Sequence, residues 1–120
     1  MPGLLIAEDD AVISENLKKA LSKKGINVLL TDNGIEAVKL VKENNPDLLL
    51  LDTNLPGMSG VDVLKEAKGL NKDIKVIVMT GTFDSDTEKQ VMELGSYALL
   101  RKPFMIEVLF KLLSDLGVIK

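Results

Sequence analysis

The sequence contains no cysteine, no histidine and no tryptophan, only one tyrosine and three phenylalanines, and a single arginine, Arg101. Without cysteine there is no disulfide, thiol nucleophile or thiolate metal site. Without histidine there is no Ser-His triad, no His-ligated zinc and no phosphohistidine on this chain. One arginine and a net charge of -3 argue against a nucleic-acid surface. No apolar run is long enough to cross a bilayer, and no stretch reads as a signal peptide. A cytoplasmic protein without membrane contact is therefore expected.

What is present suits one globular domain over residues 1–120, with 46% hydrophobic and 28% charged residues. Its organising stretch is Leu48-Leu49-Leu50-Leu51-Asp52, followed by the Pro56-Gly57 break. A short unbroken apolar run reads as a strand buried on both faces, as in a parallel sheet. Asp52 then lies at the carboxyl end of a central strand, where open α/β sheets bind ligands.

The remaining segments alternate. Leu4–Ala7 reads as a strand ending in Glu8-Asp9-Asp10, and residues 11–24 as a helix capped by Asp10 and stopped by Gly25. Residues 26–30 form the second strand. Asn33 and Glu36 resemble a capping box opening a helix to about Glu43. Ser59 caps a third helix, with Val61 and Leu64 turned inward. Residues 76–79 form a strand ending in Thr80-Gly81. Ser85 and Glu88 suggest another capping box, for a helix up to Gly95 with few apolar residues. Residues 97–100 make the fifth strand, ending in Arg101-Lys102-Pro103. Residues 105–116 make the fifth helix, with Met105, Val108, Leu109, Leu112 and Leu116 as its buried stripe. Ile106, Phe110 and Leu113 form a second row, in part exposed. Five β-α units in strict alternation predict a doubly wound α/β fold: a five-stranded parallel sheet with five helices on its two faces.

By this construction Glu8, Asp9, Asp52, Thr80 and Lys102 share one edge of the sheet. Clustered carboxylates repel one another unless a cation joins them, and magnesium suits oxygen ligands. A lysine and a threonine beside them supply positive charge and a hydroxyl donor. Together they suit phosphoryl transfer to a carboxylate nucleophile. Taken singly, Asp52 would read as a turn residue, Thr80 as an ordinary strand residue and Lys102 as a solvated charge. Their convergence is what favours chemistry.

At these residues the chain resembles the receiver domains of two-component response regulators. The resemblance rests on Leu5-Ile6-Ala7-Glu8-Asp9-Asp10, Leu50-Leu51-Asp52-Thr53-Asn54-Leu55-Pro56-Gly57, Val78-Met79-Thr80-Gly81 and Lys102-Pro103-Phe104. It implies a flavodoxin-like strand order, 2-1-3-4-5, shared with the chemotaxis regulator. It implies that Asp52 accepts a phosphoryl group, that Thr80 is the switch hydroxyl and that Lys102 pairs with the phosphoryl group. It implies Mg2+ held by Glu8, Asp9, Asp52 and the backbone carbonyl of Asn54, and a cis bond between Lys102 and Pro103. The implied donor is a histidine kinase or a histidine phosphotransfer protein. A downstream protein would bind the face of helix four, strand five and helix five, with phosphorylation-dependent dimerisation as a further use. Members usually carry Tyr, Phe or His three residues before the lysine. Leu99 stands there instead, and Tyr97 shares its facing by strand alternation. Asn54 and Thr82 occupy positions that tune loss of the phosphoryl group.

The expected function is thus a phosphorylation-controlled signalling switch, catalysing only its own phosphorylation and dephosphorylation. Two alternatives stand beside it. An aspartyl-phosphate phosphatase of the haloacid dehalogenase type would need an acid where Asn54 stands. A phosphorylation-independent interaction module would not need the set Asp9, Asp52, Thr80 and Lys102.

Overall fold

A computed structural model describes residues 3–81 and 85–119. The elements alternate as β1 (Leu4–Ala7), α1 (Ala11–Ser22), β2 (Val28–Thr31), α2 (Gly34–Asn44), β3 (Leu48–Asp52), α3 (Gly60–Leu70), β4 (Lys75–Thr80), α4 (Ser85–Glu93), β5 (Ala98–Arg101) and α5 (Ile106–Asp115). All strands pair in parallel, in the order β2-β1-β3-β4-β5. The expected fold class and strand order are both found.

The four-leucine run explains the two-sided core. Strand alternation sends Leu49 and Leu51, with Leu5, Ala7, Val76 and Val78, to the face covered by α2, α3 and α4. It sends Leu48 and Leu50, with Leu4, Ile6, Ile77 and Met79, to the face covered by α1 and α5. Each leucine, isoleucine, valine or methionine side chain among these, taken fully out of water, contributes about 1.5–3 kcal/mol.

The starts of α1, α2 and α3 follow the polar residues before them. Asp10 Oδ1 accepts the N–H groups of Val12 and Ile13, and Asn33 Oδ1 those of Ile35 and Glu36. The Asn33 N–H is satisfied by Thr31 Oγ1, so the expected capping box is completed by a strand residue. Ser59 Oγ accepts from Asp62 N–H, as expected. In α4 Ser85 is the first described residue, and Glu88 pairs with Arg101 at 2.7 Å. Glu88 thus ties α4 to β5.

Three expectations are corrected. In α5 the buried residues are Leu109 and Leu113, whereas Met105 and Val108 are 68% and 47% exposed. Leu109, Leu112 and Leu116 of the expected stripe do pack on the core, joined there by Ile106, Phe110 and Leu113, so the buried face is rotated away from Met105 and Val108. In α3 the inward residues are Val63, Leu64 and Ala67, with Val61 half-buried. Finally, β5 is shifted by one residue, leaving Tyr97 just before it and exposed.

Two glycines set the loops above the sheet. A Cβ on Gly60 would lie 2.4 Å from the Asp52 carbonyl oxygen and 2.6 Å from Thr53 Cα, so only glycine lets α3 start against the end of β3. A Cβ on Gly34 would lie 2.2 Å from the Met58 carbonyl oxygen. The Gly34 N–H donates to the Pro56 carbonyl at 2.9 Å, clasping the loop after β3 to the start of α2.

Candidate phosphoryl-acceptor site

The register that pairs Ala7 with Leu51 puts Glu8 and Asp52 side by side one step further on. Both are almost fully buried, at 1% and 3% exposure, while the adjacent Asp9 is exposed. One carboxylate oxygen from each of Glu8, Asp9 and Asp52 lies within 4.8 Å of the others. Burying two carboxylates this close is costly without compensating charge.

Lys102 provides part of that charge. It follows Leu100 by two residues, and Leu100 faces the α1/α5 side, as does the row leading to Asp52. The Lys102 ammonium donates to Glu8 Oε1 and lies 3.3 Å from Asp52 Oδ2. Burial by itself lowers the Lys102 pKa. The hydrogen bond to Glu8 and the charges of Asp52 and Glu8 outweigh it and hold the group above its ordinary value. The Lys102–Pro103 bond is cis. Backbone groups complete the set: Asp10 N–H donates to Glu8 Oε2 at 3.1 Å, and Asn54 N–H to Asp52 Oδ1 at 3.2 Å. Among the described residues, no buried side-chain polar atom lacks a partner.

Three hard oxygen donors around one partly open position fit magnesium, which takes few protein carboxylates and keeps water as its other ligands. Lys102 offsets only part of the acidic charge, leaving a net negative site that favours a divalent cation.

The structure therefore brings Glu8, Asp9, Asp52 and Lys102 together, with Asn54 in the loop beside them. Thr80 ends β4, and its hydroxyl accepts a hydrogen bond from Thr53 Oγ1 at 3.2 Å. Leu99 packs against the α2–α4 core, and Tyr97 sits near the other end of the sheet, its N–H on the Val76 carbonyl. Tyr97 is thus not placed to stand in for an aromatic at Leu99. Thr82 lies outside the described residues. Thr53 escaped the reading of the sequence; the one signal for it was its place directly after Asp52, on the opposite facing.

Comparison with known proteins agrees with this geometry. Residues 4–114 match the family described as response regulator receiver domain. Over 104 residues the chain is 36% identical to sporulation initiation phosphotransferase F of Bacillus subtilis, covering 87% of this chain and 84% of that protein. It is 33% identical to response regulator MprA of Mycobacterium tuberculosis over 88% of this chain, but spans only 46% of that protein. Among solved structures, a CheY-like receiver domain protein from Methanospirillum hungatei superposes with a TM-score of 0.91 at 26% identity, over 98% of this chain and 94% of the other.

Proposed function

The chain belongs to the response regulator receiver domain family of two-component signalling, and from that premise we propose that Asp52 is its phospho-acceptor. The observation that carries this reading is the buried Asp52 carboxylate, with Lys102 Nζ 3.3 Å from one oxygen and Glu8 and Asp9 within 4.8 Å. A carboxylate oxygen of Asp52 forms the bond to phosphorus as the donor's P–N bond breaks, and the freed imidazole leaves with the electron pair. Lys102 stands where it can hold the charge of the transferred group. Glu8, Asp9, Asp52 and the Asn54 carbonyl would hold Mg2+, which supplies charge neutralisation at the phosphoryl oxygens. Thr80 supplies the hydroxyl that senses the modification. The chain acts on itself and turns over no other substrate.

The proposed donor is a histidine kinase or histidine phosphotransfer protein in the cytoplasm. An apolar groove of about 570 Å³, lined by Ile13, Leu17, Ala20, Phe104 and Ile106, opens beside Lys102. A donor reaching Asp52 covers it. The proposed output surface, for a downstream protein or a second copy, is the face of α4, β5 and α5. Met92, Tyr97, Met105 and Val108 are exposed there.

The test is incubation with acetyl phosphate and magnesium. One added phosphoryl group that is lost in Asp52→Ala supports the reading; a mass shift that persists in the variant refutes it.

A further inference from the structure

We propose that Thr53 is a positioning residue for the Thr80 hydroxyl, holding it away from Asp52 until a phosphoryl group draws it across. The proposal rests on Asp52 and Thr80 having the roles argued above.

Alternation divides the strand ends into two sets. Glu8, Asp52 and Lys102 continue the rows that face α1 and α5. Thr53 continues the row of Leu49 and Leu51, and Thr80 that of Val76 and Val78, both facing α2–α4. The two threonines meet there, with Thr53 Oγ1 donating to Thr80 Oγ1 at 3.2 Å.

The Thr53 backbone cannot follow if Thr80 turns. Its N–H donates to the Met79 carbonyl at 3.1 Å, and its carbonyl accepts from the Gly60 N–H at 3.0 Å. Gly60 itself is packed so closely on Thr53 Cα that a methyl group would not fit. Thr80 is pinned through its carbonyl, which accepts from the Lys102 N–H at 2.7 Å. With both backbones fixed, the hydroxyl contact depends on side-chain rotation. Turning Thr80 toward Asp52 breaks the contact with Thr53.

At 3.2 Å this bond is longer than the usual hydroxyl range of about 2.5–3.0 Å, so it biases the switch without locking it. One hydrogen bond of ordinary net strength corresponds to roughly a 3- to 10-fold change in an equilibrium constant. Leu99, packed in the same core, has no polar atom with which to take over the task.

The experiment measures beryllofluoride affinity in magnesium, together with the Thr80 χ1 angle from NMR scalar couplings in the unliganded protein. Thr53→Val keeps the shape and deletes the hydroxyl; Thr53→Ser keeps the hydroxyl. The expected result is roughly 3- to 10-fold tighter binding in Thr53→Val, with the Thr80 χ1 populations shifted from those of the wild type. Thr53→Ser should bind within about twofold of the wild type and hold Thr80 in one rotamer. Thr53→Ala serves as a second deletion if the valine variant folds poorly. A wild type that binds beryllofluoride, with deletion variants that bind no tighter, overturns this proposal alone. A wild type that does not bind it, or binding that survives Asp52→Ala, overturns the assignment of Asp52 and this proposal with it.

Discussion

Lys102 bridges Glu8 and Asp52: its ammonium donates to Glu8 Oε1 and stands 3.3 Å from Asp52 Oδ2. One cation thus serves two buried carboxylates, and a magnesium ion would share its task of offsetting their charge.

It follows that Lys102→Met should be destabilised at neutral pH and rescued in part by magnesium. Removing the cation from a buried cluster costs about 3–5 kcal/mol. The gain in urea midpoint on adding magnesium should be larger for the variant than for the wild type. Equal gains would show that lysine and metal do not answer the same charge.

The raised Lys102 pKa sets an alkaline limit. A group whose folded value lies above its unfolded one contributes stability that is complete below the unfolded value, near pH 10.5. That contribution disappears as pH rises through the folded value. Urea midpoints should therefore fall more steeply above about pH 10.5 in the wild type than in Lys102→Met. Parallel curves would contradict the assignment.

Asp9 is the exposed member of the acidic trio. Asp9→Asn should lower magnesium affinity roughly tenfold or more, as expected for loss of a ligand, with stability changed by less than about 0.5 kcal/mol. Calorimetry and urea unfolding test the two halves separately. Unchanged affinity would move the metal elsewhere.

Two glycines of α3 should respond in opposite directions. Gly60→Ala drives a methyl group into the backbone of Asp52 and Thr53, which should cost about 1–3 kcal/mol and slow phosphorylation. Gly69→Ala meets nothing within 4 Å and should add roughly 0.5 kcal/mol through helix propensity. Thermal unfolding of both would show whether close approach or chain entropy governs each position.

The proposed output face can be followed by amide exchange with and without beryllofluoride. Protection should change in α4, β5 and α5, where Arg101 and Glu88 join the edge strand to α4. Changes confined to the loops after Asp52 and Thr80 would exclude this face.

Much of the architecture is legible because β3 is so emphatic. Four leucines before Asp52 admit a strand buried on both sides, and the intervening helical periods leave room only for parallel crossovers. The convergence of Glu8, Asp9, Asp52 and Lys102 follows from strand ends sharing one edge, which needs no side-chain detail. α5 resisted reading because it is apolar on more than one row. Met105 and Val108 are as hydrophobic as Leu109 and Leu113, and only the entry angle set by the turn after Lys102 decides which row meets the sheet. Thr53 stayed hidden for a related reason. Its partner Thr80 lies on another strand, and the relative level of two strands is fixed by register rather than by sequence spacing.

The clasp between Gly34 and the loop after β3 bears on where this chain can change length. Gly34 donates to Pro56 and has no space for a side chain beside Met58. Two surface loops that ordinarily absorb insertions independently are here a single interlocked rim. An added residue in either would shift the other, and with it the peptide after Asp52. The exposed turn at Lys72-Asp73, at the opposite end of the strands, carries no such tie to the acidic cluster. Extra residues for tags or reporters belong there, where the chain can lengthen without altering the rim.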